Sequence, residues 1–245
     1  MFRNLNKKIF HIIMIVIIVF VILCIAGILV LRYQVEGESN MPFEITKIGI
    51  VGEVGGTPLE GATEKWNYDI NLNNDIYIWI ERNPGYGKTE IIDEVKISNI
   101  NIDKQIGEPQ IYKPVMDGKI KFINAPENEV TEVIYKGDLK DSMKEQKIGN
   151  QGGLIVFRQG INKLSQYISD SGEEINYRQL LKLTNVKQED LLEKISFDII
   201  IKLKSGKKYQ ANIELDMPVE KIIEEGADSK EITELDDIIF KRIEN

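Results

Sequence analysis

The sequence predicts a mostly β protein: an N-terminal transmembrane helix followed by an extracytoplasmic immunoglobulin-like β-sandwich with a few short helices. Three observations carry that expectation. One uncharged apolar run lies close to the N-terminus. Beyond it, short runs of alternating apolar and polar residues recur at intervals of roughly 10–20 residues, as in sandwiches. And the whole chain holds one Cys and one His, Cys24 and His11, both inside the apolar run, so the part beyond the run rests on an apolar core rather than on disulfides or zinc.

The run extends from Ile9 to Leu31, twenty-three residues without a formal charge, eighteen of them Ile, Val, Leu or Phe. A helix of that length is about 35 Å long and exceeds a hydrocarbon core of about 30 Å. On the insertion scale those eighteen side chains sum to roughly −5 to −11 kcal/mol. A cleaved signal peptide is the alternative, but its apolar region is usually about 7–15 residues and ends at small residues. Here Ala26 and Gly27 are followed by "ILVL", and Leu23 before Cys24 is too bulky for lipid attachment at that Cys. Arg3, Lys7 and Lys8 precede the run without an acid, while Glu36, Glu38 and Glu44 lie beyond it. The basic flank stays cytoplasmic. The expected layout is therefore a cytoplasmic tail at 1–8, a span at 9–31, a tether at 32–42 and an extracytoplasmic β-rich domain at 43–245.

The chain has 31 Lys and Arg against 39 Asp and Glu, a net charge of −8. The first 32 residues hold four of the cations and no acid, which leaves 27 against 39, a charge of −12, for the remainder. That excess argues against nucleic acid and against an anionic lipid surface as partners of the β-rich part. With no Cys or His after residue 31, a Ser–His–Asp triad, a Cys nucleophile and a His- or Cys-ligated metal are all excluded there. No cofactor and no metal site is expected.

Along the β-rich part, "FEITKIGIV" reads as a first strand and the Gly- and Pro-rich "GEVGGTPLEGAT" as a loop. "KWNYDINLNN" alternates cleanly, with Trp66, Tyr68, Ile70 and Leu72 on one face. "DIYIWIE" sets Ile76, Ile78 and Ile80 against Tyr77 and Trp79, apolar on both faces. "EVKISNINI" slips phase between Ile97 and Ile100, the mark of a bulge. "KIKFINAP", "TEVIY" and "GLIVFRQG" read as further short strands. "INYRQLLKL" and "NVKQEDLLEKI" then show apolar spacings of three and four, as in helices, with Asn185 as a cap and Leu191, Leu192 and Ile195 turned inward. "ISFDIIIKLKSGKKYQANIELDMPV" is the clearest hairpin, and "VEKIIEEG" a short helix ended by Gly226. "ITELDDIIFKRI" fits a helix or a strand equally well. No linker-like stretch divides this part; a boundary near 125–150 is the alternative.

Several motifs invite function. "RNPGYGKTE" ends like a phosphate-binding loop, but the position of the first required Gly is Arg82 and the flanks are strand-like, so a hairpin loop is expected. The aromatic set Trp66, Tyr68, Tyr77 and Trp79 fits either core packing or a stacking platform for sugar rings. Alternation with Ile and Leu assigns Trp66 and Tyr68 to the core and leaves Tyr77 and Trp79 as the candidate ligand-binding pair. Acid pairs such as Asp138 with Asp141, Glu173 with Glu174, and the run from Glu220 to Asp237 read as solvated surface, although two carboxylates are all that a glycosidase needs.

"VEGESNMPFEI" after the apolar run, "NNDIYIWIE", "NQGGLIVFR", "ISFDIIIKLKSGKKY" and the closing "DIIFKRI" together resemble a group of single-span membrane proteins of Gram-positive, clostridia-like bacteria. That resemblance implies a membrane location and carries no activity, ligand or catalytic residue. The resulting expectation is a non-catalytic extracytoplasmic module that binds an envelope partner, protein or glycan. The alternative is a carboxylate-dependent hydrolase of cell-wall glycan.

Overall fold

The computed structural model describes residues 14–29, 41–59, 65–116, 119–139, 146–170 and 176–243. Helix α1 covers residues 14–29 and every one of them is exposed. The expected membrane-spanning helix is thereby corrected: among the described residues no helix is long and apolar enough to cross a membrane. Residues 9–13, 30 and 31 of the expected span, the tail at 1–8 and residues 32–40 of the tether lie outside the described residues.

Thirteen strands are described beyond α1: β1 Phe43–Leu59, β2 Lys65–Arg82, β3 Ile92–Lys104, β4 Glu108–Tyr112, β5 Val115–Met116, β6 Ile120–Lys121, β7 Val133–Asp138, β8 Lys147–Gly149, β9 Gly153–Asp170, β10 Glu193–Leu203, β11 Lys208–Asp216, β12 Ala227–Ile232 and β13 Lys241–Ile243. One sheet has the order β12-β1-β2-β9-β4 and the other β13-β11-β10-β3-β7-β8, with β5-β6 a separate small ribbon. We refer to the first two as sheets A and B. They face each other across one core, where Phe157 of sheet A meets Phe197 of sheet B edge to face at 5.4 Å. The mostly β expectation holds, but the immunoglobulin-like arrangement does not. That fold sets seven to nine strands of ordinary length in two antiparallel sheets. Here sheet A is built on strands of 17 and 18 residues, and sheet B ends in a parallel β7–β8 pair.

The long strands arise because a strongly patterned neighbour templates a weakly patterned one. "GEVGGTPL", expected to be loop, is the distal half of β1, paired residue by residue with Asn67–Asn74 of β2. Pro58 is tolerated because β12 reaches only Glu53, which leaves this end of β1 as an edge. The expected bulge in β3 is present: Asn99 has φ 53°, and two β3 residues oppose one of β10 there. The predicted β10–β11 hairpin forms, with Ile195, Phe197, Ile199 and Ile201 opposite Leu215, Ile213, Ala211 and Tyr209, all buried. The expected helices at 175–195 are 3-10 turns, Tyr177–Leu183 and Gln188–Leu191. Asn176 caps the first by accepting from the Arg178 N–H, the second is capped at Lys187 instead of Asn185, and Leu192 is 55% exposed rather than turned inward. Helix α2, Ile222–Glu225, ends as predicted at Gly226, whose φ of 71° is left-handed. A Cβ there would lie 2.1 Å from the Arg178 carbonyl oxygen, so close packing also requires glycine.

β1, β2 and β9 run through two apolar clusters. The larger lies between the sheets; the smaller packs Val54, Ile70, Leu72 and Ile161 against Leu180, Leu181 and Ile222 of the turns and α2. A buried polar layer separates them. Asn74 sits in β2 between Leu72 and Ile76, Gln159 in β9 between Phe157 and Ile161, and Glu193 in β10 between Leu191 and Ile195. In each case one flanking residue belongs to each cluster. Asn74 Nδ2 donates to Gln159 Oε1 at 2.8 Å and to Glu193 Oε2 at 3.3 Å, and Gln159 Nε2 donates to Glu193 Oε1 at 2.7 Å. Burial pushes the Glu193 carboxyl up to about 8, against the opposing pull of the Lys104 cation. The remaining Asn74 Oδ1 is buried without a partner among the described residues.

Candidate functional site

Sheet A has its inner face in the core and turns the other outward. The strict alternation of β2 sends Ile76, Ile78 and Ile80 inward and leaves Asn73, Asp75, Tyr77 and Trp79 in a row on the outer face. Six steps of about 3.4 Å from Asn73 to Trp79 make that row about 20 Å long. β1 and β9 flank it. Trp79 faces Lys47 and Leu154, Tyr77 faces Gly49 and Val156, and Asp75 faces Val51 and Arg158.

The sequence-predicted pair Tyr77 and Trp79 is brought together. Both are half-buried, with ring centroids 6.1 Å apart and planes inclined by 29°. The Trp79 indole leans across Gly49, where a Cβ would stand 3.2 Å from its Cζ3, so this glycine makes room for the ring. Lys47 Nζ lies 4.3 Å from the Trp79 ring centre and pairs with Glu231 at 3.3 Å. The result is a shallow aromatic shelf with a cation at its edge. Tyr68 is buried, as expected for core; the Trp66 side chain lies outside the described residues.

Beyond the shelf the row becomes polar. Arg158 grips Asp75 with two parallel hydrogen bonds, Nε to Oδ1 at 2.5 Å and Nη2 to Oδ2 at 2.9 Å. Its Nη1 donates to Asn124 Oδ1 at 3.1 Å, and Asn124 Nδ2 donates to Asn73 Oδ1 at 2.7 Å. The guanidinium also stacks 4.7 Å from the Phe122 ring centre. Burial raises Asp75 above the ordinary carboxylate value, and Arg158 offsets only part of that. The Tyr77 phenol is raised by burial and by the neighbouring Asp75 charge, so it keeps its proton and remains a donor at neutral pH.

Lys47, Gly49 and Arg158 belong to this face without any local mark in the sequence. Their signal is register: once β2 pairs with β1 and β9, the parity of Tyr77 and Trp79 selects them, whereas Asn124 arrives from the loop after β6. The acid pairs do not converge here. Asp138 bonds the Leu139 N–H and pairs with Lys147 at 3.1 Å, while Asp141, Glu173 and Glu174 lie outside the described residues. "RNPGYGKTE" is a loop, as expected, but it carries the chain from sheet A to sheet B instead of closing a hairpin, and Asn83 Oδ1 accepts the Gly85 N–H within it. Among the described residues no group of three or more His, Cys, Asp and Glu stands where it could hold a metal ion.

No protein-family model matches the chain, no curated protein matches it and no solved structure matches it.

Proposed function

We propose that the chain is a non-catalytic binding module of the cell envelope, and that the outer face of sheet A is where it takes a glycan. The observation that carries this reading is the Tyr77–Trp79 shelf seated over Gly49, continuous with the Asp75–Arg158–Asn124–Asn73 ladder. Flat half-exposed rings offer apolar contact to the faces of sugar rings, and fixed amide and guanidinium groups beside them can orient hydroxyls. Binding is favoured over hydrolysis because the acids near the shelf are occupied: Asp75 is held by Arg158 on both oxygens, and Glu231 is paired with Lys47. A glycosidase needs two accessible carboxylates about 5–9.5 Å apart.

The envelope location rests on the basic residues before the apolar helix, the exposed apolar surface of that helix and the acidic excess of the β unit. In this reading α1 attaches the chain to a membrane surface and the acidic β unit is held off it. Co-sedimentation of the full chain with purified cell-wall glycan tests the proposal. Retention by the wild type and its loss in Trp79→Ala support it. Equal retention of both proteins, release of sugar by the wild type, or no retention of either contradicts it.

A further inference from the structure

Glu193 belongs to sheet B, Asn74 and Gln159 to sheet A, so the buried layer is a polar tie between the sheets. Both carboxyl oxygens of Glu193 face N–H groups: Oε1 faces Gln159 Nε2 at 2.7 Å, and Oε2 faces Asn74 Nδ2 at 3.3 Å. Those bonds suit a carboxylate, which only accepts. A protonated carboxyl must also donate, and both neighbours turn donors towards it. Yet burial keeps the proton on this carboxyl up to about 8. The opposite fault lies at the far end of the layer. Asn74 is 0% exposed, and its Oδ1 has no donor among the described residues. It abuts Gly52, where a Cβ would stand 2.9 Å from Oδ1 and 3.6 Å from the Pro218 carbonyl oxygen. An unused acceptor therefore has another acceptor on its side of the layer.

We propose that the layer is a proton-operated switch: uptake of a proton by Glu193 turns both carboxamides through half a turn, and its loss turns them back. A half-turn exchanges the oxygen and nitrogen of an amide and leaves its shape almost unchanged. Glu193 Oε1 then donates to Gln159 Oε1 across 2.7 Å, the ordinary length of an O–H···O bond. Gln159 Nε2 donates to Asn74 Oδ1 across the 2.8 Å that separates the two amides, so the orphan oxygen gains a donor. Asn74 Nδ2 takes the orphan's place beside Gly52, on the side of the Pro218 carbonyl. Only the 3.3 Å contact, the longest of the three, is given up. Two N–H bonds cross between the sheets in the ionised form and one O–H bond in the protonated form. The charges around the switch are few. Lys104 of β3 stands directly opposite Glu193, and so on the same face; its ammonium donates to the Gly107 carbonyl and its charge opposes protonation. Asp75 and Arg158, chain neighbours of Asn74 and Gln159, face outward and hold each other, and Lys194 pairs outward with Glu214. Gly52 of β1, Ile222 of α2 and the Met217 N–H, which bonds the Glu193 carbonyl, bring no charge.

The test is NMR of the isotope-labelled full chain from pH 6 to 9, read at the side-chain amides of Asn74 and Gln159. In the wild type both NH2 pairs should shift together with the Glu193 carboxyl carbon, through one midpoint near 8. The Asn74 NH2 should show a nuclear Overhauser contact to the Gly52 Hα below that midpoint and lose it above. Glu193→Gln, whose amide donates as the protonated acid does, should keep the low-pH contact throughout and show no titration. The wild-type signals decide even where the variant does not fold. Asn74 contacts that stay the same across the range in the wild type, or a transition in the variant like that of the wild type, overturn the proposal.

Discussion

Replacing Glu193 by Gln should remove a pH dependence of stability that one buried group imposes on the whole β unit. In the folded chain Glu193 is 5% exposed, touches two side-chain amides and ionises only near 8, against an ordinary value of 4.5. Unfolded, it ionises near the ordinary value. Between those two pH values the folded state binds the extra proton, so stability falls as pH rises, by about 1.4 kcal/mol per unit, and levels off above about 8. The accumulated loss has an upper limit of about 5 kcal/mol, because the amide hydrogens of Asn74 and Gln159 aim at the carboxyl and favour its charged form. That is a large share of the ~5–15 kcal/mol that holds a domain together. The chain is well suited to the measurement, since its single His is residue 11, outside the β unit. Urea unfolding at intervals from pH 5 to 9 should show a falling wild-type curve and a much flatter Glu193→Gln curve, the variant being the more stable at pH 8. A flat wild-type curve, or parallel slopes in the two proteins, refutes the reasoning that burial dominates at this carboxyl.

The other predictions concern packing and the outer face. Arg158→Met strands the Asp75 carboxylate, which is only 17% exposed, and should cost about 2–4 kcal/mol in chemical denaturation; Arg158→Met combined with Asp75→Leu should recover most of it. Gly226→Ala forces a side chain into a left-handed position and against the Arg178 carbonyl, so a loss of more than about 1 kcal/mol is expected, read as a lower melting temperature. Phe197→Ala removes the edge-to-face partner of Phe157 at the centre of the sandwich and should destabilise by about 3–5 kcal/mol. Gly49→Val should displace the Trp79 ring, weakening glycan retention with little loss of fold, seen by circular dichroism beside the sedimentation assay.

How much of the fold is legible in the sequence depends on whether a residue's pattern is local. The β10–β11 hairpin and the alternation of β2 are readable because each carries its own period-two signal, and the predicted pairing and burial follow from it. β9 is readable only to Gly160 because its continuation loses phase: Ile70 pairs with Ser165 and Leu72 with Ile161, so three residues of β9 bulge out around Lys163, whose φ is 50°. β4 is hidden because Pro109 speaks against a strand, and it is tolerated only because β4 closes the edge of sheet A. Tyr77 and Trp79 stand out as a pair from parity alone. Their partners on β1 and β9 are far away in sequence and become neighbours only through register, which no local pattern specifies. The Asn74–Gln159–Glu193 layer is invisible for the same reason: each is a polar residue at an inward position flanked two residues away by apolar ones, and only the three together explain why such residues are there.

The most direct test of the binding account uses the indole of the shelf itself. The chain has two Trp, residues 66 and 79, so Trp66→Phe leaves Trp79 as the sole reporter on the outer face of sheet A. Titration of that protein with soluble cell-wall oligosaccharides should shift the Trp79 emission to shorter wavelength in a saturable way, and Tyr77→Ala should weaken the response at least about tenfold. An emission spectrum that stays unchanged while the same protein still sediments with the glycan polymer would place the ligand elsewhere and contradict the account.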